Sequence, residues 1–242
     1  MRFKKVAFYT LGCKVNQYET ESLKKQFVDN RFETAEFEEY ADIYVVNSCT
    51  VTSIADKKTR NMLRRAKKLN EDSVVIATGC YAQTNGEELS KIEEIDYVVG
   101  NTDKNAIFNL ITKIEREETL PKLIVKNIFD EKIYEEIEFS TLREMSRAYI
   151  KIQDGCNNFC SYCKIPFARG KSRSRKPENI IDEVRELAKD GFKEIILIGI
   201  NLGAYGEDLE TEIFLEDILE KCATIDGIQR IRLGSIYPDK IS

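Results

Sequence analysis

The sequence predicts an α/β protein: an N-terminal open parallel sheet with helices on both faces, followed by the first part of a (β/α) barrel. Three observations carry that expectation. Short apolar runs alternate with helix-period segments, as they do in a parallel sheet with crossover helices. Three of those runs end alike, in a small-residue turn and a cysteine: Gly12-Cys13, Asn47-Ser48-Cys49 and Thr78-Gly79-Cys80. Residues 147 to 238 then read as three β/α units.

In chain order, Val6 to Leu11 is a buried strand, followed by a helical pattern with Leu23 and Phe27 on one face. Phe32 to Phe37 is a weaker strand, and Ile43 to Val46 and Val74 to Ala77 are apolar, β-branched strands. The helix from Ile54 to Leu69 places Ala55, Met62, Ala66 and Leu69 at helical spacing, with seven cations between Lys57 and Lys68. That face either is solvated or meets phosphates. Asp96 to Gly100 is one more strand, and Ala106, Ile107, Leu110, Ile111 and Ile114 mark the helix after it. The expected domains are residues 1–118, a polar connector over 119–143 that includes a short Leu123 to Val125 strand, and a barrel part from 144 to 242.

In the second half, Arg147 to Gln153 alternates and leads into a cysteine loop. After the loop, Arg169 to Lys176 holds five cations in eight residues; it reads as a solvated connector or a contact with RNA phosphates, and its place beside the loop favours contact. Pro177 suits a first helical turn, with Ile180, Ile181, Val184, Leu187 and Ala188 inward and Gly191 at the end. Glu194 to Ile198 and Ile228 to Leu233 are strands flanking a helix with Leu215, Ile218, Leu219 and Cys222, the last a core cysteine.

Composition narrows the function classes. The chain has 242 residues, net charge −5 and 42% apolar content, so it forms real cores and shows no overall basic field for nucleic acid. It carries seven cysteines and no histidine. The N-terminal apolar run is too short to span a membrane or to serve as a signal-peptide core, which points to a reducing cytoplasm with thiolates free for metals.

The densest chemistry lies in Cys156-Asn157-Asn158-Phe159-Cys160-Ser161-Tyr162-Cys163. Three thiolates this close can face one metal centre, and without histidine a zinc site is short of its usual fourth ligand. An iron-sulfur cubane fits better, with one iron left open; the alternative is a loop of buried or disulfide-bonded cysteines. Cys13, Cys49 and Cys80 are 36 and 31 residues apart, too far for a local metal loop but natural for ligands on neighbouring strand ends. They read equally as three small residues buried where strands end.

The loop resembles the signature of the radical S-adenosylmethionine (SAM) superfamily, Cys-x-x-x-Cys-x-aromatic-Cys, filled by Cys156, Cys160, Tyr162 and Cys163. The resemblance implies a 4Fe-4S cluster on the three thiolates, SAM chelated by the open iron with Tyr162 near its adenine and Gly199 and Asn201 in the cofactor site, and reductive cleavage of SAM to a 5'-deoxyadenosyl radical. The whole chain is similar to the methylthiotransferase family, in which an N-terminal domain with three cluster-binding cysteines precedes a radical SAM barrel. Thr10-Leu11-Gly12-Cys13-Lys14-Val15-Asn16, Ile165-Pro166-Phe167-Ala168-Arg169-Gly170 and Gly203-Ala204-Tyr205-Gly206 carry that likeness. They resemble the branch acting on N6-threonylcarbamoyladenosine beside the tRNA anticodon.

The resemblance thus implies two 4Fe-4S clusters, the second on Cys13, Cys49 and Cys80, with SAM as cofactor. It implies the tRNA anticodon stem-loop and an electron donor such as flavodoxin or ferredoxin as partners, and no membrane. Branches modifying isopentenyladenosine or a ribosomal-protein aspartate, and a non-catalytic iron-sulfur carrier, are the alternatives. Where that branch commonly has Ser-Ser-Ile-Glu-Pro, this chain has Gly234-Ser235-Ile236-Tyr237-Pro238. The family's later barrel strands and TRAM domain do not follow, which implies a fragment of a longer protein.

Overall fold

The computed structural model describes residues 3–102, 104, 106–136 and 147–237. Residues 137–146, which include part of the expected connector, and Pro238 lie outside the described residues.

The first sheet forms from β1 (Lys5–Thr10), β2 (Glu33–Ala35), β3 (Ile43–Ser48), β4 (Val74–Gly79), β5 (Tyr97–Val99) and β6 (Leu123–Ile124). Its order is β2-β1-β3-β4-β5-β6, and every neighbouring pair is parallel. β3 and β4 are buried along their whole length, as central strands with continuous apolar sequence should be. The second strand is shorter than the Phe32 to Phe37 pattern suggests: only Glu33–Ala35 pairs with β1, and Phe32 and Phe37 flank it, packed into the cores on either side of the sheet. The short strand expected within the connector forms at Leu123–Ile124 and is the edge strand of this sheet.

Helices cover both faces. On one lie α1 (Lys14–Asp29) and α5 (Ala106–Glu115), whose Leu23, Phe27, Ile107, Leu110 and Ile111 meet Val6, Ile43, Val45 and Ile76. On the other lie α2 (Ser53–Leu69), α3 (Cys80–Thr84) and α4 (Gly86–Ser90), with Met62, Leu63, Ala66, Tyr81 and Leu89 against Ala7, Tyr44, Val46 and Val75. Thr52 caps α2, its Oγ1 accepting from the Ala55 amide at 3.2 Å.

The second unit has β7 (Arg147–Lys151), β10 (Glu194–Ile198) and β11 (Arg230–Leu233) in a parallel sheet of order β11-β10-β7. The intervening elements are β8 (Gln153–Asp154), α6 (Ile165–Arg169), β9 (Arg173–Ser174), α7 (Pro177–Lys189) and α8 (Leu215–Ala223), with β8 and β9 paired antiparallel. Pro177 opens α7 and Gly191, at φ +92°, follows its end. Ile180, Ile181, Val184, Leu187, Leu215, Ile218 and the fully buried Cys222 pack on Ala148, Ile150, Ile195 and Leu197. Burial pushes the Cys222 thiol up to about 11, as befits a core residue.

The other face of this second sheet is covered by α1. Val15 and Tyr18 pack on Ile196 and Ile198, with Tyr149 and Ile200 at the margin. α1 therefore belongs to two cores, turning Leu23 and Phe27 to the first sheet and Val15, Tyr18 and Glu19 to the second.

Candidate functional site

The ends of β1, β3 and β4 deliver Cys13, Cys49 and Cys80 to one edge, as the carboxyl ends of parallel strands do. Two glycines permit the approach. Gly12, at φ +110°, lies so close to the next strand end that a Cβ there would sit 2.8 Å from the Cys49 Cβ and 3.1 Å from its Sγ. Gly79, at φ +93°, would put a Cβ 2.4 Å from the Ser48 carbonyl oxygen. Burial pushes the Cys49 thiol up, the Val51 amide opposes this, and the thiols of Cys80 and Cys13 add to the rise. The Cys49 thiol thus lies within electrostatic reach of both Cys80 and Cys13. Beside them the side-chain oxygens of Asn47, Thr50 and Thr78 are buried, and among the described residues they have no hydrogen-bond partner.

Gly12→Ala is expected to drive the Cys13 and Cys49 turns apart. After anaerobic reconstitution of the full-length protein, the variant should lose the iron of this triad and keep that of the barrel triad. Parental iron content would refute the steric argument.

The barrel triad is built by a loop clamped at both ends. Gly155, at φ +75°, packs so tightly that a Cβ would fall 1.9 Å from the Lys171 carbonyl oxygen. The Cys156 amide donates to the Gly170 carbonyl at 3.1 Å and the Cys163 amide to the Cys160 carbonyl at 2.9 Å. Gln153 ties the loop to the end of β10: its Nε2 donates to the carbonyls of Asp154 and Gly155, and its Oε1 accepts from the amides of Ile200 and Asn201 at 2.9 and 2.8 Å. The Tyr237 phenol is pushed up first by burial and then by Cys156, Cys160 and Cys163, so one side chain feels all three thiols.

Gly199 and Asn201, expected in the cofactor site, lie where Gln153 joins the loop to β10. Asn201 is buried and its Oδ1 has no partner among the described residues, leaving an acceptor for a ligand N–H. Tyr162 lies in the loop as expected but is 87% exposed, with its ring directed to solvent. Phe159, in the left-handed region at φ 45°, stacks on Phe129 with ring centroids 6.1 Å apart.

Among the described residues no three of His, Cys, Asp and Glu converge on a single metal ion. A cubane asks for something else, since its three thiolates bind three different irons and stand further apart than ligands of one ion. All seven cysteines are free thiols. Two all-sulfur triads, one beside unpaired buried oxygens and one beside the unpaired Asn201 Oδ1, fit iron-sulfur clusters better than zinc.

Between the triads lies a buried charge network. Arg169 has no exposed side-chain surface; its Nη1 contacts both Asp154 oxygens at 2.9 and 3.0 Å and Glu19 Oε1 at 2.9 Å, while its Nη2 reaches Asn16 Oδ1 at 2.6 Å. Lys151 bridges Glu19 and Asp154 at 2.8 Å each, and Lys104 also pairs with Glu19. Burial opposes both carboxylates' charge, but Arg169 and the lysines win and hold Glu19 and Asp154 well below the usual carboxylate range.

This corrects the expected phosphate contact of Arg169 to Lys176. Arg169, Arg173 and Arg175 are buried, Arg173 near Asp154 and Arg175 paired with Glu136 and Glu183. Only Lys171 and Lys176 of that run face solvent. On α2, Arg60, Arg64, Arg65 and Lys67 pair with Glu88, Glu94, Glu38 and Asp96, so much of that face is already neutralised. Sequence reading missed Asn16, Glu19, Asn101, Lys104, Lys151, Gln153 and Asp154. No periodic signal marks them, because most of them also take partners on other elements far along the chain.

Residues 5–100 match a family described as "Uncharacterized protein family UPF0004", and residues 150–238 match the Radical SAM superfamily. The chain is 45% identical over 237 residues to "Threonylcarbamoyladenosine tRNA methylthiotransferase MtaB" of Bacillus subtilis, covering 98% of this chain and 52% of the relative. It is 43% identical over 234 residues to the protein of that name from Aquifex aeolicus, covering 96% and 56%. To "tRNA-2-methylthio-N(6)-dimethylallyladenosine synthase" of Clostridium botulinum it is 33% identical over 239 residues, covering 96% and 52%. The chain therefore spans about half the length of the curated relatives it matches. Among solved structures it resembles the radical S-adenosylmethionine methyltransferase TsrM from Kitasatospora setae, with a TM-score of 0.60, 16% identity, and coverage of 90% of this chain and 50% of that one. At that identity the likeness concerns fold alone. Residues 5–100 thus match the UPF0004 family and residues 150–238 the radical SAM superfamily, and over nearly its whole length the chain is similar to proteins named as tRNA methylthiotransferases.

Proposed function

We propose that the protein of which this chain forms part is a tRNA methylthiotransferase that converts N6-threonylcarbamoyladenosine beside the anticodon to its 2-methylthio derivative. The observation that carries the reading is the convergence of two cysteine triads on the two sides of one buried interface. The names of the more similar relatives favour this substrate over isopentenyladenosine.

Cys156, Cys160 and Cys163 would hold one 4Fe-4S cluster and Cys13, Cys49 and Cys80 the other. Bound there, the clusters supply reductive cleavage of SAM at the barrel and a place to carry sulfur at the sheet edge. The chain's own contribution is orientation. Gln153 and Gly155 fix the barrel loop, Asn201 would offer its unused oxygen to SAM beside Gly199, and the exposed Tyr162 would turn onto the bound cofactor. An electron donor such as flavodoxin or ferredoxin would reach the barrel cluster, and free thiols in both triads suit a reducing cytoplasm. Among the described residues no helix is long and apolar enough to cross a membrane.

The test is mass analysis of nucleosides in tRNA from cells with and without the full-length protein. Its removal should erase the 2-methylthio derivative while N6-threonylcarbamoyladenosine accumulates. Unchanged nucleosides would overturn the assignment.

A further inference from the structure

We propose that Arg169 is a positioning residue that locks the sheet-edge cysteine triad to the barrel triad, and that Asn101 provides the second tie in the same lock. The inference rests on the methylthiotransferase reading for its functional consequence, but on contacts within the chain for its geometry.

All three sheet-edge cysteines have supports that end on the last turn of α6. Asn16, three residues after Cys13, donates through Nδ2 to the Leu11 carbonyl at 2.7 Å and to the Ser48 carbonyl at 2.9 Å. One side chain thereby joins the turn that carries Cys13 to the residue preceding Cys49. The remaining Asn16 oxygen accepts from Arg169 Nη2 at 2.6 Å. Cys80 is held separately: Asn101 Nδ2 stands 3.8 Å from its Sγ and donates to the Ala168 carbonyl at 2.6 Å. The supports of Cys13, Cys49 and Cys80 thus meet at Ala168 and Arg169.

The other side of Arg169 reaches the barrel triad. Its Nη1 grips both oxygens of Asp154, and Asp154 Oδ1 accepts from the Gly155 amide at 2.9 Å, directly before Cys156. A planar guanidinium can engage Glu19, Asp154 and Asn16 at once with fixed angles, which a lysine ammonium cannot. The site is fully buried, so no water competes for these bonds.

A transfer between two centres depends on their separation, and a displacement of about 1 Å can cost on the order of 100-fold in rate. Loosening the lock should therefore impair delivery of sulfur to the activated carbon more than cleavage of SAM, which involves the barrel triad alone.

The experiment uses the full-length protein with both triads loaded with iron and sulfide. Arg169→Lys keeps the charge and removes the fork; Asn101→Ala removes the Ala168 tie without stripping a buried charge. Both variants should keep the iron of both triads, release deoxyadenosine from SAM, and yield at least about tenfold less methylthio product per deoxyadenosine. The magnetic coupling between the two reduced clusters should weaken in parallel. Parental product ratio with parental coupling in both variants would overturn the proposal, as would equal loss of SAM cleavage and product. Should the parent itself make no methylthio nucleoside, the functional reading fails, and the magnetic coupling alone then decides whether Arg169 and Asn101 set the spacing.

Discussion

Replacing Cys156, Cys160 and Cys163 with alanine in the full-length protein is expected to reduce both SAM cleavage and methylthio product to background, whereas replacing Cys13, Cys49 and Cys80 is expected to abolish product alone. The asymmetry follows from where each triad is built. The barrel loop is fixed by contacts of its own, from Gln153 to the end of β10 and from Gly155 against Lys171, none of which involves a sheet-edge cysteine. The sheet-edge triad rests on strand ends and on Asn16 and Asn101. Each set can therefore be stripped of thiolates while the other keeps its frame. Deoxyadenosine, methylthio nucleoside and iron, measured on the same anaerobic preparations, check the result, and Cys222→Ala should leave the iron unchanged. Equal loss of SAM cleavage in both triple variants, with both folds intact, would refute the division.

Glu19→Ala is expected to destabilise the chain by roughly 3–5 kcal/mol, because it leaves Lys104, Lys151 and Arg169 buried with too few negative partners. A surface glutamate lost from an exposed ion pair costs about 0–1 kcal/mol, so the two cases are easily told apart by denaturant unfolding. Acid should act in the same direction. Glu19 and Asp154 are held below their ordinary range in the folded state, so their stabilisation is fully present above about pH 4, the unfolded carboxylate range. It is then lost progressively as the pH falls from there. Unfolding measured at pH 7 and pH 3 should show a large drop for the parent and a smaller one for Glu19→Gln. An equal drop in both would show that the buried carboxylates do not drive it.

The α/β pattern and the placement of Cys13, Cys49 and Cys80 at strand ends were legible because local signals carry them. β-branched runs with glycine at their ends mark β1, β3 and β4, and spacing marks the loop from Cys156 to Cys163. The N-terminal half of α1 was not legible. Lys14 to Thr20 is polar, and its Val15, Tyr18 and Glu19 make sense only against a second sheet whose strands lie far down the chain. The same physics misled the reading of Arg169 to Lys176. A run of cations ordinarily faces water, and nothing local reveals that Glu19, Asp154 and Glu183 wait for three of them. The short strand at Leu123 to Val125 was legible, but its place at the edge of the first sheet was not, because two or three residues carry no signal of which strand they pair with.

The double duty of α1 also sets a timetable for synthesis. Glu19 and Lys151 are 132 residues apart in the chain. At a translation rate of about 5–20 residues per second, roughly 7–26 s pass between them. Throughout that interval Val15 and Tyr18 have no second sheet to cover them, and Glu19 has at most Lys104 as a native partner. The nascent N-terminal sheet must therefore persist on the ribosome with one helix half uncovered; the arrival of Lys151, Asp154 and Arg169 completes the charge network around Glu19, and β10, with Ile196 and Ile198, then covers Val15 and Tyr18.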